Sequence, residues 1–186
     1  MTEPDLDRMV FHEVDEERWA DLEQLFEARG GPKHCWCMVW RAQGEETKHR
    51  DGRSLKAALK HRVDDGVPIG ILGYLDGAPV AWCSVAPRST YRSLGGPEDE
   101  DGEKVWSLVC LFIPRSLRGH GATRRLIEAA AATAKRHGAT VLEAYPVDPE
   151  SPSYRFMGFV PSFAKAGFDE VGRAGTRRHV MRRELR

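Results

Sequence analysis

An α/β sandwich around a mixed sheet is the fold class the sequence predicts, and three observations predict it. Helical patterns and then antiparallel strand patterns come first, and a strand–turn–helix–strand unit follows them. Asp76-Gly77 joins two apolar, strand-like runs with the two-residue signal of a hairpin. Residues 105–113, Val-Trp-Ser-Leu-Val-Cys-Leu-Phe-Ile, are apolar and rich in strand formers, so they read as a buried strand with an alanine-rich helix close behind.

Each element has its own signal. Residues 9–14 alternate enough for a first strand. Asp15 is placed to cap a helix over 16–28, whose apolar side carries Trp19, Leu22, Leu25 and Phe26 and which Gly30-Gly31-Pro32 ends. Residues 33–41 are an irregular aromatic segment, 42–53 a polar loop, and 54–65 a second helix stopped by Gly66. Strands follow over 68–75 and 78–86. The acidic stretch 97–102 reads as a solvated connector to the 105–113 strand. A helix over 122–137 sets Leu126, Ile127, Ala130 and Ala134 on one face and takes Gly138 as its C-cap. Residues 140–147 form another buried strand, 156–166 hold a helix whose start Pro161 restricts, and 168–172 with 179–184 make a last strand pair.

Length and composition bound the function. The 186 residues fit one domain, 1–186, with a sizeable core. Hydrophobic content of 41% and charged content of 30% are ordinary for a soluble globular chain. Formal net charge is zero, so nothing global attracts the chain to nucleic acid or to an anionic membrane. No run approaches the roughly 20 apolar residues of a membrane span. The first eight residues show no signal-peptide pattern, and four cysteines then imply reduced thiols, so the expected location is cytoplasmic.

The chemistry concentrates after the 105–113 strand. Pro114-Arg115-Ser116-Leu117 leads into Arg118-Gly119-His120-Gly121-Ala122-Thr123-Arg124, a glycine-containing basic turn at the start of the long helix. Glycine admits conformations and close backbone approaches that a Cβ forbids. Free N–H groups and the macrodipole at a helix start attract phosphate, and Arg118 and Arg124 add charge beside it. A nucleoside-triphosphate loop would need Gly-Lys-Ser/Thr, and a dinucleotide fingerprint would need three spaced glycines; neither is present.

The turn resembles the acetyl-coenzyme A site of the GNAT N-acetyltransferases, which reads Arg/Gln-x-x-Gly-x-Gly/Ala. Arg118 and Gly121 match, and Thr123 stands where Gly or Ala is usual. Phe163-Ala164-Lys165-Ala166-Gly167-Phe168 is similar to the family's later Tyr-x-x-x-Gly-Phe. The resemblance implies the GNAT fold, a mixed and mostly antiparallel central sheet flanked by helices. It also implies acetyl-CoA as cosubstrate. Its pantetheine arm would bond to the backbone of Leu111, Phe112 and Ile113. Its pyrophosphate would be wrapped by Gly119, His120, Gly121, Ala122, Thr123 and Arg124, with Arg118 beside them. The His120 imidazole is left between phosphate contact and plain solvation.

Catalytic roles transfer less directly. The family's thiolate-protonating tyrosine is replaced by Phe163, and the base glutamate of its histone-type members by Ser107. Proton handling therefore falls to candidates on or after the 140–147 strand: Glu143 and Tyr145, two apart and so on one face, with Asp148 and Tyr154 beyond. Cys110 reads either as a nucleophile or as an inert small hydrophobe. Trp36, Trp40, Trp82 and Trp106 are candidates for an aromatic acceptor pocket. The cluster His34-Cys35-Trp36-Cys37 lacks a second cysteine pair at finger-like spacing, so no metal is expected. The basic end, 177–186, reads as a solvated strand, with Arg177 or Arg178 reaching a coenzyme A phosphate as the other reading. The expectation is direct acetyl transfer to a small-molecule primary amine, with no nucleic acid or membrane partner and with the homodimer frequent in that family. A non-catalytic acyl-CoA-binding domain is the alternative, and a zinc module on Cys35 and Cys37 is a third reading.

Overall fold

The computed structural model describes residues 5–186. Seven strands form one sheet in the order β1-β2-β3-β4-β5-β7-β6. The strands are β1 (Val10–Glu13), β2 (Ile71–Leu75), β3 (Ala78–Pro87), β4 (Val105–Phe112), β5 (Val141–Ala144), β6 (Asp169–Ala174) and β7 (Arg178–Glu184). Only the β4–β5 pair is parallel. Helices α1 (Trp19–Glu27) and α2 (Gly52–Asp64) and the aromatic segment cover one face. Helices α3 (Ala122–Arg136) and α4 (Val160–Lys165) cover the other.

Two apolar cores result. One holds Leu22, Phe26, Trp36, Leu59, Trp82, Val109 and Tyr145 beneath α1 and α2. The second holds Cys83, Val85, Leu108, Leu126, Ile127, Ala130 and Phe163 beneath α3. Alanines at 130 and 134, both fully buried, let α3 lie close on the sheet. The hairpin at Asp76-Gly77 forms as expected, with both residues at positive φ (51° and 81°), the requirement of a type I′ turn.

Several boundaries differ from expectation for local reasons. Asp15 accepts from the Arg18 N–H (2.9 Å) across a turn, so α1 begins at Trp19, after the turn, and not at 16. The helix expected over 156–166 is split. Arg155–Met157 form a 3-10 turn, Gly158 (φ 87°, ψ −178°) breaks it, and α4 starts at Val160 with Pro161 in its first turn. The strand expected over 140–147 stops at Ala144. Pro146 has no N–H to donate, and Val147 instead pairs with the 158–160 segment, donating to Gly158 O and accepting from Val160 N (3.0 Å each).

The end of α3 is a Schellman motif. Ala139 N donates to Ala134 O (3.0 Å) and Gly138 N to Lys135 O (2.9 Å), with Gly138 at φ 80°. A Cβ at Gly138 meets nothing within 4 Å, so its substitution isolates the cost of a left-handed backbone. Gly138→Ala is expected to cost about 1–2 kcal/mol. A thermal melt should show the midpoint falling by roughly 2–4 °C per kcal/mol.

Candidate active site

Where β5 turns away, β4 keeps a free edge. The parallel register runs only from Val105↔Val141 to Leu108↔Ala144, leaving β4 from Val109 onward unpaired on that side. A bulge adds to the distortion. Ser84 faces Cys110 and Val85 faces Leu108, so Val109 has no partner on β3. The resulting gap is walled by Gly158, whose missing Cβ would lie 2.7 Å from the Phe163 ring and 3.0 Å from Leu111 Cδ1. Beside the gap lies a cleft of about 430 Å³ lined by Leu111, Phe112, Ile113, Arg118 and Thr123 on one wall, with Arg155, Phe156, Phe159 and Ser162 opposite.

The turn after β4 places backbone donors and basic side chains at the start of α3. Gly119 and Gly121 both have left-handed φ (83° and 87°), and a Cβ on either would point into open space. Gly121 is the N-cap of α3 and makes no side-chain cap bond. The first i→i−4 bond of the helix is made by Arg125 N to Gly121 O (3.3 Å). The N–H groups of Ala122, Thr123 and Arg124 therefore precede the helical ladder, and no acidic residue occupies this first turn. Arg118 Nε donates to Ile113 O (2.9 Å), tying this exposed arginine to the end of β4. Ala122 is buried as a whole residue beneath the turn. His120, Gly121 and Arg124 line a neighbouring cleft of about 590 Å³ along α3.

The four proton-handling candidates do not converge. Glu143 and Tyr145 are both 0% exposed, in a network on the α1/α2 face. The Glu143 carboxylate accepts from the Tyr145 hydroxyl (2.5 Å), Arg182 Nε (2.6 Å) and Arg88 Nη1 (3.2 Å). Ser107 Oγ lies 2.8 Å from the Tyr145 hydroxyl. Burial, then the adjacent Glu143 charge, pushes the Tyr145 phenol well above its ordinary pKa. Gly96 packs onto the carboxylate so closely that a Cβ would come within 2.3 Å of Oε1. Arg88 and Arg182 also donate to Pro97 O (2.9 and 3.3 Å), so the network pins the loop that follows β3. Asp148 is engaged elsewhere, 3.1 Å from His179 Nε2, whose Nδ1 meets Glu170 (3.0 Å). Tyr154 alone of the four is a solvent-exposed phenol (38%), held at φ 58° beside Trp40.

The tryptophans separate too. Trp36 and Trp82 are core residues that both pack on Phe26. Trp106 lies on the α3 face, stacked on His137 at 4.9 Å. Only Trp40 reaches the gap side, with its ring 6.3 Å from that of Tyr154. The Cys110 thiol sits 3.0 Å from Cys37 Sγ, which also accepts from Trp82 Nε1 (3.2 Å). The contact with Cys110 and burial raise the Cys37 pKa well above that of an ordinary thiol. Among the described residues no three His, Cys, Asp or Glu side chains converge to hold a metal. No described helix is long and apolar enough to cross a membrane. The second wall of the cleft, Arg155 to Ser162, carries little sequence signal. Its one local mark is Gly158, whose backbone only glycine adopts readily.

A scan against family models matches residues 11–159 to the acetyltransferase (GNAT) family. No curated protein sequence matches the chain. Among solved structures, AAC(6')-Ib in complex with ribostamycin and coenzyme A aligns with TM-score 0.63 and 16% identity over 96% of this chain and 94% of that one. The ribosomal-protein-alanine N-acetyltransferase of Brucella melitensis aligns with TM-score 0.59 and 18% identity over 95% of this chain and 99% of its own. The PaiA N-acetyltransferase of Thermoplasma acidophilum, in complex with coenzyme A, aligns with TM-score 0.54 and 10% identity, covering 95% and 98%. The likeness to these structures is one of fold.

Removing the central carboxylate should be costly. Glu143→Gln leaves Arg88 and Arg182 without their buried counter-charge, and a loss of about 3–5 kcal/mol is expected in urea unfolding. Alkaline titration tests the same burial. Tyr145 and Tyr74 are held well above the ordinary phenol range by burial and a neighbouring carboxylate, and burial pushes Tyr91 up to about 12. The unfolded chain loses these protons near pH 10. The folded state then binds more protons, so stability falls as pH rises above about 10. Tyrosinate absorbance at pH ~11 should show these three phenols silent until the protein unfolds.

Proposed function

The chain belongs to the GNAT acetyltransferase family, and we propose that it transfers an acetyl group from acetyl-CoA to the primary amine of a small molecule by direct attack within a ternary complex. The observation that carries this reading is the continuity of three features: the free edge of β4, the cleft beside it, and the anion-seeking turn at Gly119–Arg124. A pantetheine arm is an extended amide chain, which suits an unpaired strand edge. A pyrophosphate suits the exposed N–H groups and the Arg118 guanidinium. Thr123 in place of a small residue keeps its N–H, so the turn retains its donors.

Acetyl-CoA supplies the activated carbonyl. The chain's own groups bind and orient it. The free N–H groups on the unpaired edge of β4 are suited to stabilise the charge that develops on the carbonyl oxygen. The amine nitrogen forms the new C–N bond as the C–S bond breaks. The ammonium proton leaves to solvent or to the thiolate. A lysine-like amine is neutral in only about one molecule per few thousand at pH 7, so a base contributes for such substrates. With Glu143 and Tyr145 committed to a buried network, the exposed Tyr154, whose ring lies 6.3 Å from that of Phe156 on the cleft wall, is the candidate best placed for proton exchange. Phe163 is fully buried against Phe168 and brings no hydroxyl to the gap.

Calorimetric titration with acetyl-CoA is the test. One saturable site is expected for the intact protein. Gly121→Val places a branched side chain in the anion's space and strains a left-handed backbone. It should weaken binding at least about tenfold, and Arg118→Ala about tenfold to a hundredfold, as for a lost charged hydrogen bond. Unchanged affinity in both variants, with circular dichroism intact, would remove the turn from the site.

A further inference from the structure

Arginines are treated differently at the two ends of the α1/α2 face. At the Glu143 end each one is neutralised. Arg88 pairs with Glu143 and Asp99, and Arg182 pairs with Glu143 (2.6 Å) and Glu103 (3.2 Å). At the gap end the cations have no carboxylate partner among the described residues. Arg178 donates to Leu94 O (2.9 Å), Arg177 to Ser153 Oγ (2.8 Å) and Arg92 to Val39 O (3.4 Å). Behind this rim, next to Trp40 in the chain, Arg41 is 0% exposed. Its Nη2 serves Ile69 O, Ser84 Oγ and the Tyr91 hydroxyl, while Nε and Nη1 have no partner among the described residues.

Arg178 occupies the decisive place. It opens β7 and bridges Val147, where β5 has already left β4, so it stands at the gap. Its guanidinium carbon lies 4.3 Å from the centroid of the Trp40 ring and 5.6 Å from that of Tyr154. Stacking of this kind holds the guanidinium plane and leaves its N–H edge for bidentate contact with an oxyanion. Burial lowers the Arg178 pKa, and only the phenols of Tyr154 and Tyr145 oppose that shift. Trp40 and Phe112 pack on the α1/α2 core, on the sheet face opposite α3. An amine approaching a thioester in the gap from that face passes this rim.

We propose that the acceptor amine also carries an oxyanion, a carboxylate or a phosphate, bound by Arg178, and that its flat body rests against Trp40 and Tyr154. The inference rests on acetyl transfer at this gap. It excludes polycations, because the uncompensated arginines at the rim repel them.

The test compares matched amines by coenzyme A thiol release: phenylalanine, phosphotyrosine methyl ester, phenylalaninamide and ribostamycin, each with the intact protein and with Arg178→Gln and Arg178→Lys. The change in preference between proteins cancels the differing basicity of the amines. The expected result is that Arg178→Gln lowers kcat/KM for the carboxylated or the phosphorylated amine about tenfold to a hundredfold. The effect should fall on KM, with a loss for phenylalaninamide at least about tenfold smaller and with partial retention in Arg178→Lys. Whichever of the two anionic amines responds identifies the oxyanion. Equal losses on anionic and uncharged amines, or preferred turnover of ribostamycin, overturn the proposal. If none of these amines is acetylated although acetyl-CoA binds, calorimetry with benzoate and phenyl phosphate reads the subsite directly. Binding that disappears in Arg178→Gln keeps the subsite and defeats the transfer reading. Absence of binding to the intact protein overturns the subsite.

Discussion

The parting of β4 and β5 after Leu108↔Ala144 is the constraint on which the rest of the site depends. A parallel pair in the middle of a sheet is ordinarily bonded along its length, and an unpaired strand edge inside a protein leaves polar groups to be satisfied. Here β5 is drawn away. Pro146 cannot donate, and Val147 finds its partners in Gly158 and Val160. The α4 segment thus takes over pairing that β4 loses. One wall of the cleft and the opening of the gap come from the same set of hydrogen bonds.

Charge is partitioned along the same strand. Close to the start of β4, the Glu143 carboxylate gathers Arg88, Arg182 and the Tyr145 hydroxyl in a cluster that holds the 94–97 loop down. Such a cluster does little for net stability compared with apolar packing, but losing one member is expensive, because the remaining charges stay buried. Its consequence is positional. It sets the loop whose Leu94 carbonyl receives Arg178 at the other end. The groups that look most like proton shuttles in the sequence are thereby spent on architecture, and arginines without a carboxylate partner among the described residues are left at the mouth of the gap.

Much of the fold is legible in the amino-acid sequence. Periodicity places Trp19, Leu22, Leu25 and Phe26 on one face of α1, and all four are buried. The Asp76-Gly77 turn, the Gly138 cap and the order of elements are equally local signals, each set by backbone conformations few residues tolerate. The departures from expectation are local as well. Asp15 bonds across one turn before the helix, and Gly158 with Pro161 divides a stretch whose apolar pattern alone is helical. The glycine turn that opens α3 is readable because its physics is contained in seven consecutive residues, Arg118 to Arg124.

By itself the sequence determined the layered α/β class around a mixed sheet and the glycine turn that starts α3. These follow from periodicity, turn chemistry and glycine conformation within short windows. Tertiary structure alone decided which side chains remain available for chemistry. The facing of Glu143 by Arg88 and Arg182, across 55 and 39 residues of chain, cannot be read from spacing. Neither can the dispersal of four tryptophans over two cores and one rim, since alternation along a strand tells which residues share a face but not what lies against it. Long-range packing chooses those partners, and it made Glu143 a structural anion and Arg178 a half-buried, stacked cation at the gap.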